Sequence, residues 1–150
     1  MQTNQEEHLL IRELVAEDFY NGYPELMHEF TNYSHINSLE QFKNDIDKSK
    51  NYCKIIVICN METNKIVAAG TIFKLIKLHN NPVGQIEDVI VTESYRQKKL
   101  GKLLIKELVN TAINEFKCYK VILNCLNKNI GFYIKCGFEV VGAEMRINCQ

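Results

Sequence analysis

At 150 residues the chain has the length of one domain and can bury roughly 70% of its unfolded surface. Its 46% hydrophobic and 24% charged residues exclude a disordered segment, and 18 Lys plus Arg against 18 Asp plus Glu leave no overall field for nucleic acid or an anionic membrane. Any anion it binds has to be gripped locally. The start MQTNQEEHLL lacks the basic end and apolar run of a signal peptide, and no later stretch approaches the roughly 20 apolar residues of a membrane span, so a cytoplasmic protein is expected. The six cysteines form no CxxC pair and lie mostly in apolar runs, as reduced, buried small hydrophobes do; with four scattered histidines they do not predict a zinc site or any other metal.

In chain order, residues 9–11 and Glu13 predict a first strand, and Glu17 and Asp18 an acidic helix start before Phe19, Tyr23, Leu26, Met27 and Phe30. Residues 31–37 read as a connection, and Ser38 as the cap of a short helix carrying Leu39, Phe42 and Ile46. The β-branched runs 53–59 and 66–77, joined by the polar turn 60–65, predict a hairpin. After a turn at 80–84, residues 85–91 (QIEDVIV) form a strand interrupted by two acids, whose side chains are expected on opposite faces. From Leu100 the period becomes helical, with Leu100, Leu103, Leu104, Leu108, Ala112 and Phe116 on one stripe and Lys102, Lys106, Glu107 and Asn110 off it. A strand over 120–126, a short helix over 129–135 ending at Gly137, and the start of a last strand at 138–141 complete the reading. The pattern predicts an α+β fold in a single domain spanning residues 1–150, with helices covering a mainly antiparallel, mixed sheet.

Chemistry enters at the loop between the acidic strand and the long helix. Arg96, Gln97, Lys98, Lys99, Leu100, Gly101 and Lys102 bring four cations to a helix start, where free backbone N–H groups and the positive end of the helix dipole favour an anion such as a pyrophosphate. On charge alone a solvated basic turn explains the same residues. Neither GxxxxGK[ST] nor GxGxxG is present, which disfavours nucleoside triphosphates and dinucleotides.

The stretch QIEDVIVTESYRQKKLGKLLIKEL resembles the central strand and cofactor loop of the GNAT acetyltransferase superfamily, with Lys99 where many members have glycine. Together with CYKVILNC and FYIKCGFEVVGAEM it resembles, over most of the chain, the glucosamine 6-phosphate N-acetyltransferase family. The resemblance implies the GNAT fold and direct transfer of the acetyl group of acetyl-CoA to the amine of glucosamine 6-phosphate in a ternary complex, a step toward UDP-N-acetylglucosamine. It implies a homodimer and no metal. The pantetheine would pair with the backbone of Val89, Ile90 and Val91, the pyrophosphate would rest on the loop from Arg96 to Lys102, and Asn129, Tyr133, Ile134 and Lys135 would form a second wall. Tyr133 matches the tyrosine near the thioester sulfur, where a phenol can donate to the leaving thiolate. Glu87 and Asp88 match the acids of the sugar site, with Glu87 the expected proton acceptor. Thr31, Lys77, Tyr119, Lys120 and Glu144 match further sugar-phosphate positions, as does His79 if the following loop is two residues shorter; some of these would reach the substrate across the dimer.

Two positions depart from that family: Asn124 stands where a carboxylate is usual and Asn148 where an arginine grips phosphate, a role Arg146 is expected to take over. The alternatives are a GNAT enzyme acting on another small or protein amine, and a non-catalytic acyl-CoA sensor.

Overall fold

The computed structural model describes residues 8–32 and 35–149. Four strands follow one another antiparallel in chain order: β1 (Leu9–Glu13), β2 (Cys53–Asn60), β3 (Lys65–Leu75) and β4 (Val83–Val91). The fifth, β5 (Lys120–Leu123), joins β4 in parallel, giving the expected mixed sheet. The hairpin of β2 and β3 turns through residues 61–64, and Asn60 organises it by accepting the backbone N–H groups of Glu62 and Thr63 on its side-chain oxygen, at 2.9 and 3.1 Å. Among the described residues no helix is long and apolar enough to cross a membrane.

Helices cover both faces. On one, α1 (Tyr23–Thr31) and α2 (Leu39–Ser49) bring Tyr23, Leu26 and Phe42 against Val57, Cys59, Ala69 and Ile90. Ser38 caps α2 as predicted, accepting the Gln41 N–H at 3.2 Å. On the other face, α3 (Leu100–Asn114) buries Leu100, Leu104, Leu108 and Ala112 at four-residue spacing against Ile56, Ile58, Ile72 and Ile86. Leu104 and Leu108 are 0% exposed, so truncating either to Ala would cost about 2–5 kcal/mol. Leu103, placed on the buried stripe by the sequence, is 44% exposed; Ile105 takes its place, because the stripe centres one position further round the helix.

Three further expectations are corrected. The first helix does not start at Glu17: a 3₁₀ turn (Ala16–Phe19) ends before Gly22, whose φ of 91° no continuous helix accepts, and α1 begins afresh at Tyr23. Asp18 is not a solvent-facing dipole partner but fully buried, gripping Arg12 through both oxygens at 2.7 and 2.8 Å and accepting the Val15 N–H at 2.9 Å. Thr31 closes α1 instead of lying in the connection, in which Tyr33 and Ser34 are outside the described residues. The expected last strand is absent, since residues 138–149 join no ladder although Val140 and Val141 have strand composition. β5 likewise stops at Leu123 instead of 126.

Candidate active site

A bulge gathers the two acids. Thr71 opposes Glu87 and Ala69 opposes Ile90, so Gly70 faces two residues, Asp88 and Val89. Asp88 adopts φ 53°, the left-handed backbone such a bulge uses and Asp tolerates better than most residues. The inserted residue reverses the alternation of faces. Ile86 packs with α3 before the bulge; after it Val89 and Val91 do so, while Ile90 joins the α1 and α2 core. Glu87, opposite in sense to Ile86, therefore faces the α1 side, and the charge of Asp88 acts there too, on Tyr23 and Cys53. The expectation that the adjacent acids diverge is corrected: both serve one face. Burial, and then the Glu87 charge, push the Asp88 carboxyl above the ordinary aspartate range. Gln85 donates its side-chain amide to Glu87.

Gly70 is what lets α3 lie close over this bulge. A Cβ there would stand 2.8 Å from the Leu108 Cδ1 and 3.4 Å from the Leu104 Cδ2. Beside the bulge the sheet opens: β4 pairs with β5 only from Val83 to Ile86, the last pair being Ile86 with Leu123. From Glu87 to Val91, β4 keeps β3 on one side and, among the described residues, has no strand on the other. The backbone of Val89, Ile90 and Val91 thus borders a cleft that an extended, amide-bearing ligand can enter.

The cleft leads to the basic loop. Gln97 (φ 67°) and Lys99 (φ 63°) both take left-handed backbone, and Lys99 precedes α3 without a side-chain cap, so the first amides of the helix are left for a ligand. Arg96 turns back on the fold: its Nε donates to the Val91 carbonyl at 3.1 Å and its Nη2 lies 3.6 Å from Glu29 of α1. Glu29 also accepts from the Thr92 hydroxyl and the Glu93 N–H, at 2.8 and 3.0 Å. Lys98 lies over the Tyr95 ring at 4.5 Å, and the Tyr95 hydroxyl accepts from Asn60 at 2.7 Å. The loop is therefore pinned from α1 and from the β2–β3 turn. Gly101 serves a packing role, since a Cβ there would lie 3.1 Å from the Phe132 ring.

Phe132 and Tyr133 belong to α4 (Ile130–Lys135), which follows a 3₁₀ turn at Asn127–Asn129. Tyr133 is half-buried, edge-on to Phe132 at 5.0 Å and to Phe138 at 6.1 Å. Burial first, then Cys125 and Cys136, raise its phenol pKa, which keeps the hydroxyl protonated as a donor.

Residues 10–138 match the Acetyltransferase (GNAT) family. The chain belongs to the GNAT acetyltransferase family. Membership carries with it an acyl-CoA donor, and the open β4 edge, the uncapped start of α3 and the loop cations are a fitting set for an extended thioester ending in a pyrophosphate. Among curated relatives, this GNAT chain is 36% identical to glucosamine 6-phosphate N-acetyltransferase 1 of Dictyostelium discoideum, over 91% of this chain and 88% of that one. It is 36% identical to the glucosamine 6-phosphate N-acetyltransferase of Candida albicans, over 89% and 91%. The crystal structure of glucosamine-6-phosphate N-acetyltransferase from Arabidopsis thaliana superposes with a TM-score of 0.87 at 30% identity, covering 96% of this chain and all of that one.

In this GNAT chain the other sequence-derived residues are spread out. Lys77 and His79 lie exposed in the loop between β3 and β4, at the end of β4 where Lys120 opposes Val83 and the Tyr119 N–H donates to Pro82 at 3.0 Å. Lys120 lies over the Tyr119 ring at 5.3 Å. The rise from Val83 to Glu87 puts about 13 Å of strand between that group and the acids. Thr31 ends α1 with its hydroxyl donating to the Met27 carbonyl at 3.1 Å. Asn129, Ile134 and Lys135 are exposed on and beside α4, and Glu144 and Arg146 are exposed in the tail. Sequence reasoning missed Gly70, Glu29, Asn60 and Tyr95. For Gly70 a signal existed, because a glycine inside an apolar strand run marks a bulge or a close approach; for Glu29, which acts across 63 residues, there was none.

Proposed function

We propose that this chain transfers the acetyl group of acetyl-CoA to the amine of D-glucosamine 6-phosphate. The observation that carries the reading is the bulge at Asp88: it turns two carboxylates to one face where β4 parts from β5, next to the cleft that leads to the α3 loop. A paired acid site suits an ammonium and the hydroxyls of an amino sugar, and the similarity to full-length sugar-phosphate acetyltransferases supports that acceptor.

The acceptor amine has to lose a proton before it attacks. Asp88, the inserted residue of the bulge, is the proton acceptor of the pair, its carboxyl raised above the ordinary aspartate range by burial and then by the charge of Glu87, and Glu87 holds the ammonium. The Tyr133 hydroxyl donates to the departing sulfur. Val89, Ile90 and Val91 orient the donor, with the loop from Gln97 to Lys102 on its pyrophosphate. Lys77 and Arg146 supply cations to the sugar phosphate, with Arg146 coming from a second copy. The tail favours such a copy: Val140, Val141, Met145 and Ile147 are 66%, 82%, 94% and 87% exposed, apolar side chains that the described residues leave uncovered. Sedimentation of the full chain at assay concentrations tests this, and a monomer that turns over removes the second copy from the site.

The activity is tested by thiol release with acetyl-CoA against glucosamine 6-phosphate, glucosamine and a panel of small amines. Turnover is expected with the sugar phosphate and only weakly with glucosamine. Preference for an unphosphorylated amine refutes the acceptor, and cofactor binding without thiol release on any amine makes the chain a sensor. The rate should fall in acid through a pKa above the usual aspartate value of about 3.9. Asp88→Asn should remove that limb and cost about 10²- to 10⁴-fold in kcat; an Asp88→Asn enzyme with the full rate and the same profile overturns the assignment.

A further inference from the structure

The basic loop departs from a turn that α1 holds in place. Tyr23, Leu26 and Glu29 follow one another at three-residue spacing, and the first two are buried against the sheet, so the packed face of α1 also presents Glu29. The position is a poor one for a carboxylate without partners. It lies in the last turn of the helix, where the dipole favours cations, and beside a loop whose charge suits an anion. Three contacts account for it: Oε2 accepts from the Thr92 hydroxyl at 2.8 Å, Oε1 accepts from the Glu93 N–H at 3.0 Å, and the Arg96 Nη2 lies 3.6 Å from that same Oε1. All three partners belong to residues 92–96, which join β4 to the loop.

Those residues form one tight unit. The Thr92 N–H donates to the Val67 carbonyl at 2.9 Å, the Tyr95 N–H to the Thr92 carbonyl at 3.0 Å and the Arg96 N–H to the Glu93 carbonyl at 3.2 Å. Arg96 leaves the turn in extended backbone, φ −64° and ψ 157°, while its Nε returns to the Val91 carbonyl at 3.1 Å. Immediately beyond it Gln97 and Lys99 take the left-handed backbone, which persists only where neighbouring structure fixes it. Glu29 fixes the end from which that strained stretch begins.

We propose that Glu29 is a positioning residue for donor binding: through Thr92, the Glu93 amide and Arg96 it sets the direction in which the chain enters the loop, and so keeps Gln97 to Lys102 in the form that takes the pyrophosphate. The inference rests on the donor being a CoA thioester. It assigns Arg96 to this clamp instead of to the ligand. The helix that covers the acid face of the sheet thereby sets the affinity for the donor.

Calorimetric titration of the full chain with CoA, in the absence of any acceptor, tests the clamp, with circular dichroism to show that each variant is folded. Glu29→Ala should bind CoA about tenfold more weakly, the loss expected when the competent loop falls to about a tenth of the population. Glu29→Gln keeps an oxygen for the Glu93 N–H and turns an amide to the Thr92 hydroxyl, which can accept from it, so this variant should stay within about threefold of the wild type. Thr92→Val should weaken CoA by about threefold and add nothing to Glu29→Ala, since both act on one network. In turnover Glu29→Ala should raise the KM for acetyl-CoA and leave kcat within about twofold, whereas a loss of folded enzyme lowers kcat and leaves KM alone. Unchanged CoA binding by Glu29→Ala overturns the proposal, and so does tighter binding, which would make the released Arg96 a ligand. Glu29→Gln as weak as Glu29→Ala, or Thr92→Val with the wild-type affinity, overturns it as well, and these two variants decide the matter if Glu29→Ala does not fold. A wild type that binds no CoA refutes instead the donor reading on which the clamp depends.

Discussion

Replacing Gly70 by Ala probes the contact on which the geometry of the acid pair depends. The added Cβ would meet the Leu108 Cδ1 at 2.8 Å, the Leu104 Cδ2 at 3.4 Å and the Val89 Cγ2 at 3.5 Å, with both leucines 0% exposed. Overpacking of this kind costs about 1–3 kcal/mol, and the reduced freedom of the unfolded chain returns about 0.4–1 kcal/mol. A net loss of about 1–2 kcal/mol follows, a fall of about 2–8 °C in Tm for a chain of this size. Leu108→Val withdraws the side chain that is struck, so Gly70→Ala/Leu108→Val should lose less than the sum of its parts by at least about 0.5 kcal/mol. Urea and thermal unfolding of the four proteins complete the cycle. A Gly70→Ala protein as stable as the wild type, or a strictly additive double variant, would show that α3 does not rest on the bulge.

Asp18→Ala should cost about 3 kcal/mol by leaving the Arg12 guanidinium part-buried without its bidentate partner, read as a drop in the urea midpoint. Although burial opposes ionisation, Arg12, the Val15 N–H and Asn21 together hold the Asp18 carboxyl below its ordinary range; its stabilisation is present above the unfolded value of about 3.9 and is lost as pH falls through the lower folded value, so Asp18→Ala should lose least relative to wild type in strong acid. Gln97→Gly and Lys99→Gly each relieve about 1–2 kcal/mol of left-handed strain and return about 0.4–1 kcal/mol of backbone freedom, so each should raise stability by about 0.5 kcal/mol in the same assay; a loss at both would mean that these side chains support the loop.

Local signals were legible and partner-dependent ones were not. Ser38 before an amphipathic run announces α2, and the β-branched runs announce β2 and β3, because capping and strand composition are written within a few residues. The buried pair of Arg12 and Asp18 is six residues apart in sequence yet unreadable there, since two acids at a turn look alike whether they meet solvent or a guanidinium. Residues 138–141 have strand composition, but a strand exists only with a ladder partner, and the described residues offer none to them. In the site, the loop at 96–102 was legible as an anion site from its cations and helix start, while 87, 88 and 133 drew their expected roles from the family resemblance. Their common geometry was not, because it depends on a one-residue bulge whose other half, Gly70, lies in a different strand.

The parting of β4 from β5 also bears on how the protein keeps in solution. Among the described residues the backbone from Glu87 to Val91 is a strand edge in the interior of a sheet, and an unpaired edge is a template for any extended chain that reaches it. An amide-bearing ligand held there does for this stretch what a sixth strand would do in a closed sheet, and every ligand that binds only the folded form adds to its stability by mass action. Supplying the donor during purification and storage should therefore act as a solubilising agent in its own right, shielding the cleft from self-association before any acetyl group is moved.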